Sequence, residues 1–173
     1  GKPSKIVKFA TDITAVKLAT ADSAGQLAAI SRSQAVIEFT PQGEVITAND
    51  NFCRALGYSL DEIRGRHHRI FVPAEEVSTS AYQDFWSQLG RGEFQSAEYL
   101  RIGKGGKEVW IQATYNPIFG HDGKVLKIVK YATDVTERKR AVNLLGSELA
   151  KLAEGDLRAR IQTPFKGELD AVR

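Results

Sequence analysis

The order of strands in this chain is decided by residues 107–133, KEVWIQATYNPIFGHDGKVLKIVKYAT. Two runs rich in β-branched and aromatic residues, Lys107–Ile118 and Lys124–Thr133, flank the polar turn Gly120-His-Asp-Gly123. This pattern is typical of a β-hairpin. A third run of the same kind, Phe94–Ile102, precedes them. The sequence therefore predicts three consecutive antiparallel strands in this half of the chain.

The residues before these strands predict another hairpin and several short helices. Ala35–Thr40 and Glu44–Thr47 flank the turn Pro41-Gln-Gly43, which indicates two short strands. Ser59-Leu-Asp-Glu62 fits a capping box, and Ser80–Leu89 carries large apolar residues every three or four positions, as helices do. Two strands, short helices and three strands predict an α+β fold, a five-stranded antiparallel sheet with short helices on one face.

A sequence repeat joins the two ends of the chain. Residues 1–14, GKPSKIVKFATDIT, and residues 123–136, GKVLKIVKYATDVT, are identical at 10 of 14 positions without a gap. The repeat favours a tandem array, in which residues 1–14 are the last strand of a preceding repeat and residues 35–136 are a complete one. The alternative is a single domain that contains two similar strands.

Helices are predicted on both sides of the complete repeat. Residues 15–34 contain no proline and many alanines, which favours a helical linker. Residues 137–154 carry apolar residues at spacings of three, four and three, which favours a coiled-coil helix, although a helix packed on its own domain has the same spacing. These apolar residues are Val142, Leu145, Leu149 and Leu152. Residues 155–173, which include Pro164, are predicted to begin a further module.

Composition excludes several classes of protein. The chain has 24 Lys and Arg against 21 Asp and Glu, a formal charge of +3, which gives nucleic-acid binding little support. Cys53 is the single cysteine, so a disulfide framework or a cysteine-rich zinc site is excluded. Apolar runs are too short to cross a bilayer. We expect a cytoplasmic protein with no membrane span and no nucleic-acid partner.

Motifs for catalysis are missing from the sequence. It contains no phosphate-binding loop, dinucleotide fingerprint or nucleophile elbow, and the apolar surroundings of Cys53 favour a packing role. His67 and His68 are adjacent, and neighbouring residues on a helix point about 100° apart, so both do not ligate one metal. Either could be a single axial ligand, but a histidine hydrogen-bonded near a helix end is favoured. We expect that the chain is not an enzyme.

The order of elements and several motifs resemble the PAS domain, over residues 35–139. The motifs are Gly43-Glu-Val-Ile-Thr-Ala-Asn49, Leu56-Gly-Tyr-Ser-Leu-Asp-Glu-Ile-Arg-Gly65 and Asp134-Val-Thr-Glu-Arg-Lys139. Four further stretches are similar to the tandem PAS units of bacterial cytoplasmic methyl-accepting chemotaxis proteins. These stretches are His67–Phe71, Phe85-Trp86, Gly105–Ile118 and Lys130–Thr136. Ala153–Ile161 is similar to the Gly-Asp-Leu stretch of HAMP-like or equivalent receptor connectors.

The resemblance implies a sensory input module that holds a small molecule or a cofactor between the short helices and the sheet. In flavin-binding aerotaxis receptors, an asparagine after the second strand and a tryptophan on the long helix matter for the flavin. Asn49 and Trp86 stand at the matching places, and His68 matches a further histidine. The Arg-His pair of those receptors falls on Val72-Pro73 here. FAD is therefore the implied cofactor, haem held by His67 or His68 is the alternative, and a domain without cofactor stays open.

The resemblance also implies how a signal leaves the domain. Oxygen, redox state or a small ligand would be sensed in the cavity and relayed through the C-terminal helix to a signalling bundle. The Asp134 carboxylate and the Thr136 hydroxyl would cap this helix and tie it to the last strand. The flanking helices would form a homodimer, and a chemotaxis kinase and adaptor would bind a signalling domain outside this chain. The alternatives are a cofactor-free dimerisation and relay module, or the PAS sensor of a histidine kinase or cyclic-dinucleotide enzyme.

Overall fold

The computed structural model describes residue 5 and residues 7–154, without the side chain of residue 152. By its contacts the chain divides into two units, residues 1–33 and residues 34–173, and each is described by itself. The predicted connector over residues 155–173 lies outside the described residues.

The first unit is dominated by one helix, α1 (Thr14–Ser33), none of whose residues is buried. The helix begins where the Thr14 N–H donates to the Asp12 carboxylate at 2.8 Å. Residues 7–13 form neither helix nor strand. The structure therefore has a helix where one is predicted for residues 15–34. That this helix is a linker stays a prediction. That residues 1–14 are the last strand of a preceding repeat also stays a prediction.

The second unit is built on a five-stranded sheet with the order β2-β1-β5-β4-β3, in which all neighbours are antiparallel. The strands are β1 (Ala35–Phe39), β2 (Val45–Ala48), β3 (Gln95–Ile102), β4 (Glu108–Phe119) and β5 (Val125–Asp134). The helices are α2 (Asp50–Leu56), α3 (Leu60–Ile63), α4 (Ala74–Val77), α5 (Ser80–Gly90) and α6 (Thr136–Ala153), with 3-10 turns at His68–Phe71 and Lys104–Gly106. The predicted α+β fold is confirmed.

Local sequence signals explain where the short elements begin and turn. The Asn49 side chain accepts the Phe52 N–H at 2.9 Å and caps α2, and the Ser59–Glu62 capping box forms at α3. Gly43, in the turn between β1 and β2, has φ +88°, and a Cβ there would lie 2.9 Å from the His67 ring and 3.0 Å from the Trp86 ring. Only glycine combines this backbone conformation with so close an approach.

The hydrophobic core fills the space between one face of the sheet and the short helices. β4 shows the alternation of a half-buried strand, because Val109, Ile111, Ala113 and Tyr115 are buried and the residues between them are more exposed. The strands β1, β2 and β5 contribute Ile37, Phe39, Val45, Ile128 and Ala132, and the helical segments contribute Phe52, Leu56, Ile63, Phe71 and Leu89.

The start of α6 contacts the opposite face of the sheet. Trp110 lies between the inward-pointing residues of β4, and the Lys139 ammonium lies 4.9 Å from its ring centroid. Glu98 on β3 forms ion pairs with Arg138 and Lys139, and Ala141 is buried. The first turns of α6 are therefore held by β3 and β4.

Among the described residues, no helix has both the length and the apolar character that crossing a membrane requires.

Candidate ligand-binding site

A chain of three hydrogen-bonded side chains lies in the core. His68 is fully buried, and its ring nitrogens face two tyrosine hydroxyls, Nδ1 that of Tyr82 at 2.9 Å and Nε2 that of Tyr115 at 3.0 Å. Tyr82 belongs to α5 and Tyr115 to β4. The two hydrogen bonds of His68 therefore connect the helical layer to the sheet through the 3-10 turn that carries this histidine.

Burial keeps the side chains of His68, Tyr82 and Tyr115 uncharged near neutral pH. The pKa of His68 lies well below its usual value because the ring is desolvated and because Arg101 and Lys130 are near. Desolvation also raises the pKa of Tyr115 and raises the pKa of Tyr82 to about 12. A neutral imidazole has one N–H and one lone pair, so one tyrosine hydroxyl donates to His68 and the other accepts.

Two basic side chains are buried beside these three hydrogen-bonded side chains. Lys130, on β5, is 0% exposed, and its Nζ lies 4.8 Å from the Tyr115 ring centroid. Arg101, on β3, is 1% exposed, and its Cζ lies 4.6 Å from the Tyr99 ring centroid. Burial, with Arg101 nearby, holds the pKa of Lys130 well below its usual value. Both basic groups therefore lie on the inner face of the sheet in a desolvated environment. Together with His68, Tyr82 and Tyr115 they form the buried cluster.

Buried donors are left without acceptors in this region. Among the residues that the structure describes, three buried side-chain nitrogens make no hydrogen bond, and every one is a donor when protonated. They are Trp86 Nε1, Arg101 Nε and Lys130 Nζ. Buried polar groups in native proteins are nearly always hydrogen-bonded. The groups that would satisfy these three must supply acceptor atoms.

Two pockets open beside Tyr82. One, of about 190 Å³, contains Arg101 in its wall, and its lining residues are Glu76, Ala81, Tyr82, Phe85, Tyr99 and Arg101. The other, of about 320 Å³, is bounded by the β1–β2 turn, the residues after α3 and α5, and includes His67 and Trp86. Pockets that hold drug-sized ligands usually measure about 300–1,000 Å³.

The structure brings three of the four predicted cofactor residues together. His67, His68 and Trp86 are neighbours, with ring centroids 5.8 Å apart for His67–Trp86 and 5.3 Å for His68–Trp86. Asn49 is used elsewhere, because its side-chain oxygen accepts the N–H groups of Val36 and Phe52 at 2.9 Å each. These residues' roles in binding a cofactor stay predictions.

Of the two histidines, His68 is the one that hydrogen bonds hold at both ring nitrogens. Both ring nitrogens of His68 face tyrosine hydroxyls, and His67 Nδ1 accepts the Arg69 N–H at 3.1 Å. The pocket beside Arg101 is smaller than those that hold drug-sized molecules. Haem ligation by His68 would break a buried hydrogen bond, whereas His67 and Trp86 line the pocket of about 320 Å³.

Sequence reasoning did not single out Arg101, Tyr115 and Lys130, which are polar residues buried in the core. The available signal was alternation, since Lys130 stands between Ile128 and Ala132, both of which point inward on β5. A lysine at an inward position of a strand is unusual. Which neighbours it meets depends on the pairing of Tyr115 with Lys130 across β4 and β5.

Asp134 and Thr136 form a junction between the sheet and α6. The Asp134 carboxylate accepts the Thr136 N–H at 2.9 Å, and the Thr136 hydroxyl accepts the Trp110 N–H at 3.0 Å. The predicted tie between strand and helix is present, but the hydroxyl bonds to β4 instead of capping α6. The helix begins at Thr136, so Asp134 lies one residue before its cap position. The coupling role of these residues stays a prediction.

The described residues contain no group of three or more His, Cys, Asp or Glu side chains arranged to hold a metal ion.

A five-stranded antiparallel sheet in the order β2-β1-β5-β4-β3 with short helices on one face defines an α+β domain of the PAS type. The chain belongs to the PAS family, since the family model PAS_4, a PAS fold, matches residues 31–140.

Two named proteins and one solved structure are similar to parts of this chain. The biofilm dispersion protein BdlA of Pseudomonas aeruginosa is 40% identical over 140 residues, which are 81% of this chain and 34% of BdlA. The aerotaxis receptor of Escherichia coli is 29% identical over 100 residues, 58% of this chain and 19% of the receptor. The crystal structure of a PAS domain from Colwellia psychrerythraea covers 67% of this chain and 98% of its own, with a TM-score of 0.58 and 19% identity, and shows the shared fold.

The chain thus spans about a third or less of the length of these two curated relatives.

Proposed function

We propose that this chain is a sensory input module, in which a small molecule bound between the sheet and the short helices changes the position of α6. One observation carries the proposal: the strands that line the buried cluster also hold α6. β4 supplies Tyr115 to the cluster and Trp110 to the junction. β5 supplies Lys130 to the cluster and Asp134 to the junction.

The distances along the strands support a relay. Lys130 and Asp134 are four residues apart, about 13 Å along β5. Tyr115 and Trp110 are five residues apart on β4, and their side chains lie on opposite faces. A ligand that shifts the register or twist of this strand pair therefore moves the groups that hold the first turn of α6, because sheets transmit strain along close-packed strands.

The likeness between the two helix starts supports a tandem arrangement. The Thr14 N–H donates to Asp12 at 2.8 Å, and the Thr136 N–H donates to Asp134 at 2.9 Å. These residue pairs are equivalent in the sequence repeat. We infer that α1 is the output helix of a preceding PAS repeat, as α6 is of the described one. Residues 155–173 would then lead through a HAMP-like connector toward a signalling bundle.

The wider assignment is a cytoplasmic, non-enzymatic sensor of a bacterial chemoreceptor that acts as a homodimer and whose signalling domain binds a chemotaxis kinase and adaptor. The similarity to an aerotaxis receptor supports a sensory role. A cofactor-free relay module is the first alternative, and the sensor of a histidine kinase or cyclic-dinucleotide enzyme is the second. FAD or haem stays a prediction of the resemblance, and an absorbance spectrum of the purified chain before and after reduction tests it.

Hydrogen exchange of α6 tests the relay. Tyr115→Phe removes a hydroxyl from the buried chain while keeping the ring, and leaves a His68 nitrogen without its partner. We expect the amides of residues 136–144 to exchange about fivefold faster, beyond the change in global stability. Tyr99→Phe is the control, because the Tyr99 hydroxyl makes no hydrogen bond within the described part of the chain. Unchanged α6 exchange in Tyr115→Phe, together with faster exchange in the core, would contradict the relay.

A further inference from the structure

We propose that the ligand of this domain is a small α-amino acid with an uncharged side chain, whose carboxylate binds Arg101 and whose ammonium binds Glu76. Both residues line the pocket of about 190 Å³ beside Tyr82. The inference rests on the proposed sensory function and specifies the chemistry of its ligand.

The wall of this pocket carries two opposite charges. Arg101 comes from β3 and Glu76 from α4, and both side chains line the same space. Arg101 Nη1 and Glu76 Oε1 are 3.5 Å apart. In an α-amino acid the ammonium and the carboxylate are bonded to the same carbon atom, so its two charges are close enough to meet both side chains at once.

The hydrogen bonds of Arg101 are incomplete. Its side chain is 2% exposed, and Nη1 donates to the Leu100 carbonyl at 2.7 Å. Nε makes no hydrogen bond within the described part of the chain. Leaving a donor of a buried charged group unpaired is costly. A ligand carboxylate supplies acceptors, because each of its two oxygens accepts hydrogen bonds from a guanidinium.

Glu76 compensates the charge of Arg101 only in part. Their separation of 3.5 Å is longer than the about 2.7–2.9 Å of a charge-assisted hydrogen bond. The Glu76 side chain is also 41% exposed, so its carboxylate is accessible to a second cation. A bound amino acid therefore adds two short ion pairs where the chain alone has one long ion pair.

The two charges in the wall disfavour ligands of a single sign. A carboxylate that binds Arg101 without an ammonium is repelled by Glu76, and an amine that binds Glu76 without a carboxylate is repelled by Arg101. A charged side chain on the amino acid meets the same repulsion. The ligand that satisfies both residues is therefore a zwitterion with an uncharged side chain.

The size and the remaining lining of the pocket limit the side chain of the ligand. About 190 Å³ is below the range for drug-sized molecules. The other lining residues are Ala81, Tyr82, Phe85 and Tyr99. Their methyl group and aromatic rings favour a short aliphatic or hydroxylated side chain, and aromatic faces also attract an ammonium. Alanine, serine and valine have side chains of this kind.

The pocket adjoins the buried cluster. Arg101 and Tyr82 belong to both, and the Tyr82 hydroxyl is hydrogen-bonded to His68 Nδ1 at 2.9 Å. An amino acid in the pocket therefore contacts the cluster directly.

Thermal unfolding and calorimetric titration of the whole chain test the inference. The probes are L-alanine, L-serine and L-valine. Propionate, which is alanine without its ammonium, and ethylamine, which is alanine without its carboxylate, are the comparison ligands at equal ionic strength. At about a hundredfold excess over Kd, we expect at least one amino acid to raise Tm by about 5–10 °C, and propionate and ethylamine to leave Tm unchanged. A chain that none of the amino acids stabilises, or that propionate or ethylamine stabilises equally, overturns the proposal.

The glutamate is tested by Glu76→Gln, which keeps the shape of the side chain and removes its charge. We expect the stabilising amino acid to bind about tenfold or more weakly, whereas propionate should bind no more weakly than to the wild type. Glu75→Gln is the matched control, because Glu75 is exposed on the same helix and does not line the pocket. Full affinity for the amino acid in Glu76→Gln overturns the proposal.

The arginine is tested by Arg101→Gln, with Arg101→Lys as the conservative replacement should the first unfold. The lysine keeps a positive charge without the planar fork of the guanidinium, and we expect both variants to bind the amino acid about tenfold or more weakly. Arg91→Gln is the control, because the Arg91 side chain is 60% exposed and pairs with Glu93. Wild-type affinity in a folded Arg101 variant overturns the proposal.

The failure of this inference differs from the failure of the proposed function. If no amino acid binds but α6 exchange still responds to Tyr115→Phe, the ligand assignment is wrong and the relay stands. If an amino acid binds through Arg101 and Glu76 but α6 does not respond to Tyr115→Phe, the ligand assignment holds and the relay is wrong.

Discussion

Lys130 shows how a single residue departs from the rules of a stable core. It is fully buried on a central strand of the sheet, its Nζ lies 4.8 Å from the Tyr115 ring centroid, and no acidic side chain is buried among the described residues. A stable core of this size has no need for such a residue. Buried ionisable groups without partners are more frequent at functional sites than elsewhere, so Lys130 is a residue to test first.

The first prediction concerns the stability of Lys130→Met. The methionine fills a similar space without a polar group, so we expect the free energy of unfolding at about pH 7 to rise by about 1–3 kcal/mol. Urea denaturation measures this change. Lys124→Met is the control, because Lys124 is exposed in a turn, and we expect a change within about 0.5 kcal/mol.

The same variant has a defined pH dependence. The pKa of Lys130 is lowered in the folded chain, so between that pKa and the unfolded value the unfolded chain binds the additional proton. The stability of the wild type therefore rises with pH in this window, by about 1.4 kcal/mol per pH unit from this group. Lys130→Met should lack that rise when unfolding is compared at about pH 7 and about pH 9. Parallel pH profiles for the two chains would contradict the burial of an unpaired amine.

At the scale of elements, the sequence predicted the fold well because its signals are local. The turn glycines, the Ser59–Glu62 capping box and the spacing in α5 each depend on a few adjacent residues, and all are confirmed. The candidate site was less accessible. Trp86 and His68 stood out as residue types, but Lys130 meets Tyr115 only through the register of β4 and β5, which no local pattern specifies.

The junction of β4 with α6 gives the second prediction. Thr136→Val removes the hydroxyl that accepts the Trp110 N–H at 3.0 Å and leaves that donor without its partner. We expect the first turn of α6 to lose about 1 kcal/mol of stability, which is about fivefold faster hydrogen exchange. Thr136→Ser keeps the acceptor and should exchange nearly as the wild type does. Equal exchange in the valine and serine variants would show that this hydrogen bond does not hold the helix.

At the scale of the whole molecule, α6 is divided between two surfaces. Its start packs on its own sheet through Ala141, which is 1% exposed, whereas Val142 and Leu149 are 59% and 63% exposed. Leu145, a further residue of the seam, is half-buried, so the coiled-coil helix and the helix packed on its own domain both stay predictions for the rest of α6. The exposed positions belong to the predicted coiled-coil seam, and an exposed apolar seam is stabilised by a second helix.

The third prediction is that the chain dimerises through this seam. Val142→Lys combined with Leu149→Lys places two charges in the seam, and we expect a shift from dimer to monomer in sedimentation equilibrium. Asn143→Lys is the control, since Asn143 is exposed on the same helix outside the seam, and it should leave the dimer intact. A wild-type chain that stays monomeric throughout the accessible concentration range would contradict a dimer held by α6.

The most direct test of the relay is a double-mutant cycle between the cluster and the junction. The opening free energy of the α6 amides is measured by hydrogen exchange in the wild type, Tyr115→Phe, Thr136→Val and the double variant. The two side chains share no hydrogen-bond partner, and independent sites are additive within about 0.3–0.5 kcal/mol. If β4 connects the cluster to α6, we predict a coupling energy of about 1 kcal/mol. Additive effects would mean that the core and α6 are energetically independent, which contradicts a relay through this strand.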